Sequence, residues 1–124
     1  MAKTTVLYVE DDRDSAKLVA KTLHREGIAV LLAENGKDGY KIALQHQPDL
    51  ILMDFNLPDV NGVEVMRHLK TTADTLHIPV VMLTVDDGHA TRHYAHEVGC
   101  DGYLVKPASR SALLNLVNAL AAAG

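Results

Sequence analysis

An aspartate closes an otherwise wholly apolar run in this chain: Leu50-Ile51-Leu52-Met53 leads directly into Asp54. Three more short apolar runs end on residues able to handle a phosphoryl group. Val6-Leu7-Tyr8-Val9 leads into Glu10, Asp11 and Asp12, Val80-Val81-Met82-Leu83 into Thr84, and Tyr103-Leu104-Val105 into Lys106-Pro107. A carboxylate buried at the end of such a run would be costly without partners. Glu10 and Asp11, brought to the same edge, would add negative charge, so either one carboxyl is protonated or a cation is bound. An all-oxygen acidic site suits a hard divalent ion. Mg2+ is the expected one, because it keeps several waters and asks the protein for little beyond one or two carboxylates and a phosphate oxygen. Lys106 offers a point positive charge and Thr84 a hydroxyl donor, both suited to phosphate oxygens. A carboxylate nucleophile forming an aspartyl phosphate accounts for the whole set. A purely structural ion pair between Asp54 and Lys106 would leave the acidic pair and Thr84 unexplained.

Apolar runs of this length, bounded by turn residues and separated by helical patterns, read as strands buried on both faces of a parallel sheet. In such a sheet the ligand site lies beyond the carboxyl ends of the strands, so residues far apart in sequence meet at one edge. Asp14 to Glu26 carries apolar residues at helical spacing (Leu18, Val19, Leu23), and Gly27 is a helix stop. Ile28 to Ala33 is a short strand, and Asn35 is an N-cap for a helix through about Gln47. Leu57 to Gly62 is loop chemistry, followed by a helix from about Val63 to Lys70. Ile78-Pro79 introduces the fourth strand, a helix follows from about Asp87 to Val98, and Ser109 caps a last helix rich in Leu and Ala. Strand and helix alternate throughout, which predicts an α/β domain: a doubly wound, five-stranded parallel sheet of the flavodoxin-like (βα)5 kind.

With 124 residues, the chain is expected to form one domain over 1–124 with a core of its own. A composition 48% hydrophobic and 23% charged is that of an ordered soluble protein. The net charge of −4 gives no reason to expect direct nucleic-acid binding. No apolar run approaches the roughly 20 residues needed to span a bilayer, and the amino terminus lacks the apolar region of a signal peptide. Neither nucleic acid nor membrane is therefore an expected partner. The lone Cys100 cannot form an internal disulfide, so a reducing compartment, the cytoplasm, is expected.

The fragments Val9-Glu10-Asp11-Asp12, Met53-Asp54-Phe55-Asn56-Leu57-Pro58-Asp59-Val60-Asn61-Gly62, Leu83-Thr84 and Gly102-Tyr103-Leu104-Val105-Lys106-Pro107 stand in this order at the strand ends. On them the chain resembles the receiver domain of two-component response regulators, of the chemotaxis-regulator kind, over essentially its whole length. That resemblance implies Asp54 as phosphoacceptor. It implies a Mg2+ site made by Asp11, Asp54 and the backbone carbonyl of Asn56, with Glu10 acting through a bound water. Lys106 would hold a phosphate oxygen, Thr84 would move toward the phosphate once it arrives, Tyr103 occupies an aromatic switch position, and the Lys106–Pro107 bond would be cis. The phosphoryl donor would be the phosphohistidine of a sensor histidine kinase or a histidine phosphotransfer protein. The readout would be a shift in the surface of the fourth helix, fifth strand and fifth helix that controls a downstream protein partner or output domain. Such a protein is not an enzyme in the ordinary sense, since it catalyses only its own phosphorylation and dephosphorylation.

Some residues depart from that pattern or distract from it. Val85 stands after the switch threonine where the family usually has a smaller residue; its β-branched side chain would narrow access to the phosphoryl group or is tolerated loop variation. Asp86, next along, is acidic and placed to face the phosphoryl oxygens and alter hydrolysis. His89, His93 and His96 fall at helical spacing, which suggests a zinc site. No cysteine or carboxylate pattern closes it, so they read as surface residues of the fourth helix. Cys100 reads as a small packed hydrophobe. Two rival functions meet specific objections. A small aspartyl-phosphate phosphatase needs a second aspartate two residues after the nucleophile, where Asn56 stands. A flavin-binding flavodoxin needs a phosphate-cradling loop after the first strand, where Glu10-Asp11-Asp12 would repel the FMN phosphate.

Overall fold

Continuous apolar runs of four or five residues have no polar face to give to water, so both faces must be covered by helices. The computed structural model describes residues 3–85 and 88–123, with side chains except at 89–91 and 122–123. In chain order the elements are β1 (Thr5–Val9), α1 (Arg13–Arg25), β2 (Ala29–Ala33), α2 (Gly36–His46), β3 (Leu50–Asp54), α3 (Gly62–Lys70), β4 (Val80–Thr84), α4 (His89–Glu97), β5 (Gly102–Val105) and α5 (Arg110–Ala123). The strands form one five-stranded sheet in the order β2-β1-β3-β4-β5, and every pair is parallel. The predicted doubly wound sheet is therefore present, and its strand order reverses between β1 and β3, where such sheets open a crevice.

Alternation along each strand sends successive side chains to opposite faces, and this divides the core in two. Leu7, Val9, Ile51, Met53, Val80 and Met82 pack with Val63, Val65, Met66 and Leu69 of α3, Ala43 of α2 and Ala95 of α4. Val6, Tyr8, Leu50, Leu52, Val81 and Leu83 pack with Ala16 and Leu23 of α1 and Leu113 and Val117 of α5. Each face thus has its own helices and its own set of strand positions.

Helix ends are fixed by side chains rather than by the strands. Asp12 caps α1, accepting from the Asp14 amide at 3.3 Å and from Ser15 Oγ at 2.6 Å. That gives the third acid after β1 a structural task, and α1 begins one residue before the predicted start. Gly27 ends the helix with φ +78°, a conformation natural only to glycine. Leu18, counted among the helical apolar spacing, does not face the core: it is 68% exposed, whereas Ala16, Ala20 and Leu23 are buried. Positions 16, 20 and 23 follow the i, i+4, i+7 stripe of a helix, and position 18 falls outside it. In α2, Asn35 Oδ1 accepts from the Asp38 amide at 2.8 Å as predicted. The start of α4 is two residues later than the sequence suggests, and Asp87 lies outside the described residues.

The loop between β3 and α3 returns sharply to the end of β3. The Gly62 amide donates to the Phe55 carbonyl at 2.8 Å, and Asn56 and Asn61 form an isolated antiparallel bridge. A Cβ at Gly62 would lie 2.1 Å from the Asp54 carbonyl oxygen, a rigid backbone atom. Only glycine allows this approach. Gly62→Ala should therefore lower stability by about 2–3 kcal/mol, measured by urea unfolding. A loss below about 0.5 kcal/mol would show that the loop gives way freely.

Candidate functional site

The alternation that splits the core also sorts the charged residues. Leu50, Leu52 and Asp54 occupy alternate positions of β3, so Asp54 takes the face of α1 and α5. Val6, Tyr8 and Glu10 stand in the same relation at the end of β1, and Leu104 and Lys106 at the end of β5. The Glu10 amide donates to the Ala33 carbonyl at 2.9 Å and the Lys106 amide to the Thr84 carbonyl at 2.7 Å, which extends the ladders past the strands and holds both residues in line. Lys106 Nζ donates to Glu10 Oε1 at 2.6 Å and to Asp54 Oδ1 at 3.1 Å. Asp54 and Lys106 do pair, but the lysine's shorter arm goes to Glu10, so the contact is not an isolated structural ion pair. Asp11 completes the acidic group: oxygens of Glu10, Asp11 and Asp54 lie within 4.8 Å of one another. Glu10 and Asp54 are buried and Asp11 is exposed, which leaves the group open to solvent on one side.

Two buried carboxylates face one ammonium, and their protonation separates accordingly. Desolvation, and then the neighbouring Glu10, push Asp54 up to about 7. Burial would raise Glu10 too, but hydrogen bonding to the Asp54 carboxyl and to Lys106 holds it below the usual carboxylate range. Burial acts to lower Lys106, and the Glu10 hydrogen bond and Asp54 charge overcome it, so the lysine is firmly charged. Without a further cation, then, one of the two acids carries the negative charge and the other tends to keep its proton. The chemistry of the group fits a hard divalent ion: three carboxylates, no nitrogen or sulfur, and an open side. Among the described residues it is also the only cluster of three or more such ligating side chains.

Two residues at this edge were not singled out from the sequence. The Tyr8 hydroxyl donates to Glu10 Oε1 at 3.1 Å from a fully buried ring. Burial and the adjacent Glu10 push its ionisation far above the ordinary range, so it stays a donor. The available signal was the two-residue spacing to Glu10, together with the need of a buried tyrosine for a partner. Asp59, read only as loop, accepts from the Gly36 amide at 2.8 Å and the Lys37 amide at 3.0 Å. It thereby ties the loop that carries Asn56 to the first turn of α2. Nothing local in the sequence announces a contact 23 residues away.

The remaining expected residues divide by face. Val80, Met82 and Thr84 alternate toward the side of α3 and α4, and Tyr103, paired in register with Met82, packs against the same core. Thr84 is fully buried and Tyr103 half-buried, with the Arg92 guanidinium of α4 4.9 Å from the tyrosine ring centre. The Lys106–Pro107 bond is cis, as the resemblance implied. The Asn56 amide lies 3.4 Å from Asp54 Oδ1. Val85 is 72% exposed and, with Leu18, Leu83, Lys106, Pro107 and Leu113, lines a cleft of about 360 Å³ beside the charged network. Asp86 lies outside the described residues, as does the side chain of His89. His93 pairs with Glu97 at 3.1 Å on the α4 surface, and Cys100 is half-buried with its thiol pushed up by burial and by Asp101, so it is a poor nucleophile.

Known proteins resemble this chain in sequence and fold. The model of the response regulator receiver domain matches residues 6–118. Protein PilH of Pseudomonas aeruginosa is 36% identical over 117 residues, covering 94% of this chain and 97% of that protein. The phosphate regulon transcriptional regulatory protein PhoB of the same species is 34% identical over 120 residues, which are 97% of this chain and 52% of PhoB. Among solved structures, the receiver domain of the sensor histidine kinase PA1611 of Pseudomonas aeruginosa, with a magnesium ion coordinated in its active-site cleft, matches at a TM-score of 0.90 and 26% identity, covering 98% of this chain and 99% of that one. All four strand-end motifs fall inside the matched span, and the chain belongs to the response regulator receiver domains of two-component signalling.

Proposed function

We propose that this protein accepts a phosphoryl group on Asp54 from the phosphohistidine of a sensor histidine kinase or histidine phosphotransfer protein, and relays its arrival to a protein partner or output domain. The observation that carries this reading is the single ammonium of Lys106 set between Glu10 and Asp54, at 2.6 and 3.1 Å, with Asp11 alongside. In the transfer the Asp54 oxygen bonds to phosphorus as the donor's nitrogen–phosphorus bond breaks. The electron pair returns to the imidazole nitrogen, which is left to take up a proton. Lys106 stands beside the nucleophilic carboxylate, where it meets the charge spread over the phosphoryl oxygens. Mg2+, held by Asp11, Asp54 and the Asn56 carbonyl, with Glu10 acting through water, would neutralise further charge on those oxygens. The chemistry is thus confined to the protein's own phosphorylation and dephosphorylation. Asn56 supplies no acid for a phosphatase cycle on external substrates.

Thr84 and Tyr103 serve as the relay. They lie on the face opposite the charged network, next to α4, so a Thr84 hydroxyl drawn toward a phosphoryl oxygen disturbs the packing that Tyr103 and Arg92 share. The two arrangements pre-exist, and the phosphoryl group shifts their populations across α4, β5 and α5. The single cysteine, and the lack among the described residues of any helix long and apolar enough to cross a membrane, fit a cytoplasmic setting. Val85, exposed at the rim of the cleft beside Lys106, serves as a partial gate over the acyl phosphate, because its branched side chain has few rotamers in which to move aside. Asp86, the acidic residue next in sequence, modulates hydrolysis with it.

Intact-mass analysis with Mg2+ and a phosphodonor tests the acceptor directly. Wild type should gain one phosphoryl mass, Asp54→Asn none, and Asp11→Ala should be severely impaired. An undiminished gain in Asp54→Asn would refute the assignment.

The electrostatics make a separate prediction for the metal-free protein. A carboxyl raised to about 7 binds its proton more tightly folded than unfolded. Its contribution to stability is therefore present at low pH and is lost as pH rises from about 4 through about 7. An asparagine at this position would carry no such charge, so Asp54→Asn should be more stable than wild type by about 1–3 kcal/mol at pH 8, with the advantage fading toward pH 5. Chemical unfolding at the two pH values checks it; an advantage independent of pH would mean that charge is not its source.

Loss of the gate should show in phosphoryl lifetime. Val85→Ala should speed decay of the phosphorylated protein several-fold, equivalent to about 1 kcal/mol of barrier, by opening the in-line path for water. Decay at or below the wild-type rate would show that access at this position is not limiting.

A further inference from the structure

We propose that Tyr8 is a positioning residue for phosphoryl uptake: it keeps Glu10 partnered while Lys106 leaves Glu10 for the incoming phosphoryl group. This rests on the phosphoacceptor reading above. Tyr8 is 1% exposed within β1, and its hydroxyl donates to Glu10 Oε1 at 3.1 Å. Lys106 Nζ donates to that same oxygen at 2.6 Å and to Asp54 Oδ1 at 3.1 Å. One oxygen of a residue only 3% exposed is therefore shared by donors from two different strands' ends.

The two donors differ in what they are free to do. Lys106 carries three N–H groups on a flexible four-carbon stem and can turn to a new acceptor. Tyr8 is a rigid ring locked in the core that α1 and α5 cover, among Val6, Leu52, Leu83 and Leu113. It cannot follow. If Lys106 were the only donor, its departure would strip a buried carboxylate oxygen of its partner, and the desolvation penalty would fall on the transfer step. With the Tyr8 hydroxyl in place, Oε1 keeps a hydrogen bond throughout and the lysine is released at lower cost. Packing alone would be served by an aliphatic side chain at this position, as it is at Val6 on the same face. The hydroxyl is the part that packing leaves unexplained.

Tyr8→Phe keeps the ring and removes only that hydroxyl. Three quantities should be compared with wild type: unfolding stability, Mg2+ affinity from amide shifts in an NMR titration, and the rate of phosphoryl uptake from acetyl phosphate at saturating Mg2+, followed by intact mass. At rest Lys106 still orients Glu10, so Mg2+ affinity should stay within about two-fold. Uptake should slow about ten-fold, the size expected for a hydrogen bond to a charged group needed only in the transfer step. In a Lys106→Met background, where there is no lysine to release, Tyr8→Phe should slow uptake no further. Unchanged uptake in Tyr8→Phe would overturn the proposal. So would equal slowing in both backgrounds, which would mean that Tyr8 acts through packing, or a parallel loss of Mg2+ affinity, which would mean that it sets the resting geometry instead. A wild-type protein that gains no phosphoryl mass would overturn the phosphoacceptor reading, and this role with it.

Discussion

One positive charge among buried carboxylates is the constraint on which this site depends. Lys106 follows β5 and reaches Asp54 at the end of β3 and Glu10 just after β1, past the end of β4 that lies between. Removing either acid would leave the ammonium half-satisfied, and removing the lysine would leave two acids to repel each other without relief. The arrangement is consequently not a stable resting point that happens to lie near a reactive aspartate. It is an unbalanced charge set, short of positive charge, whose deficit a divalent ion would relieve. Stability is given up locally so that chemistry has something to respond to.

Strand alternation separates that charge set from Thr84 and Tyr103. Glu10, Asp54 and Lys106 share the face covered by α1 and α5, while Thr84 and Tyr103 look toward α3 and α4. The sheet, one residue thick, stands between the two. The strand ends bring the two faces together, as the Lys106 amide and Thr84 carbonyl do at 2.7 Å. The loop that bears Asn56 is fixed by two other means, the close approach at Gly62 and the grip of Asp59 on the start of α2.

Much of this was legible in the residues alone, for a physical reason. Strands buried on both faces must be apolar throughout, so the points where Asp54, Thr84 and Lys106 interrupt the runs marked the sheet edge without ambiguity. Caps were equally plain at Asn35, where one side chain meets an amide three residues on. What escaped was tertiary. Asp59 meets α2 through a turn whose path the local sequence does not encode. Leu18 looked like a core residue because it is apolar, but only the helix phase decides that. Tyr8 was hidden by its own apolarity: in a run of hydrophobic residues the ring was counted and the hydroxyl was not. The preference of Lys106 for Glu10 over Asp54 is a matter of half an ångström, below anything that spacing resolves.

The helix beside Tyr103 has few buried side chains among the described residues. Among its described residues α4 buries only Ala95, whereas α3 buries Val63, Val65, Met66 and Leu69. Two of its described ties lie at the surface: Arg67 donates to the Tyr94 hydroxyl at 2.9 Å, and Arg92 lies over Tyr103. Attractions of that kind are open to water and to dissolved ions, and weaken as ionic strength rises, while the buried stripe of α3 is indifferent to salt. Among the described residues, burial thus falls from α3 to α4. Ionic strength therefore bears more on how α4 is held than on how α3 is.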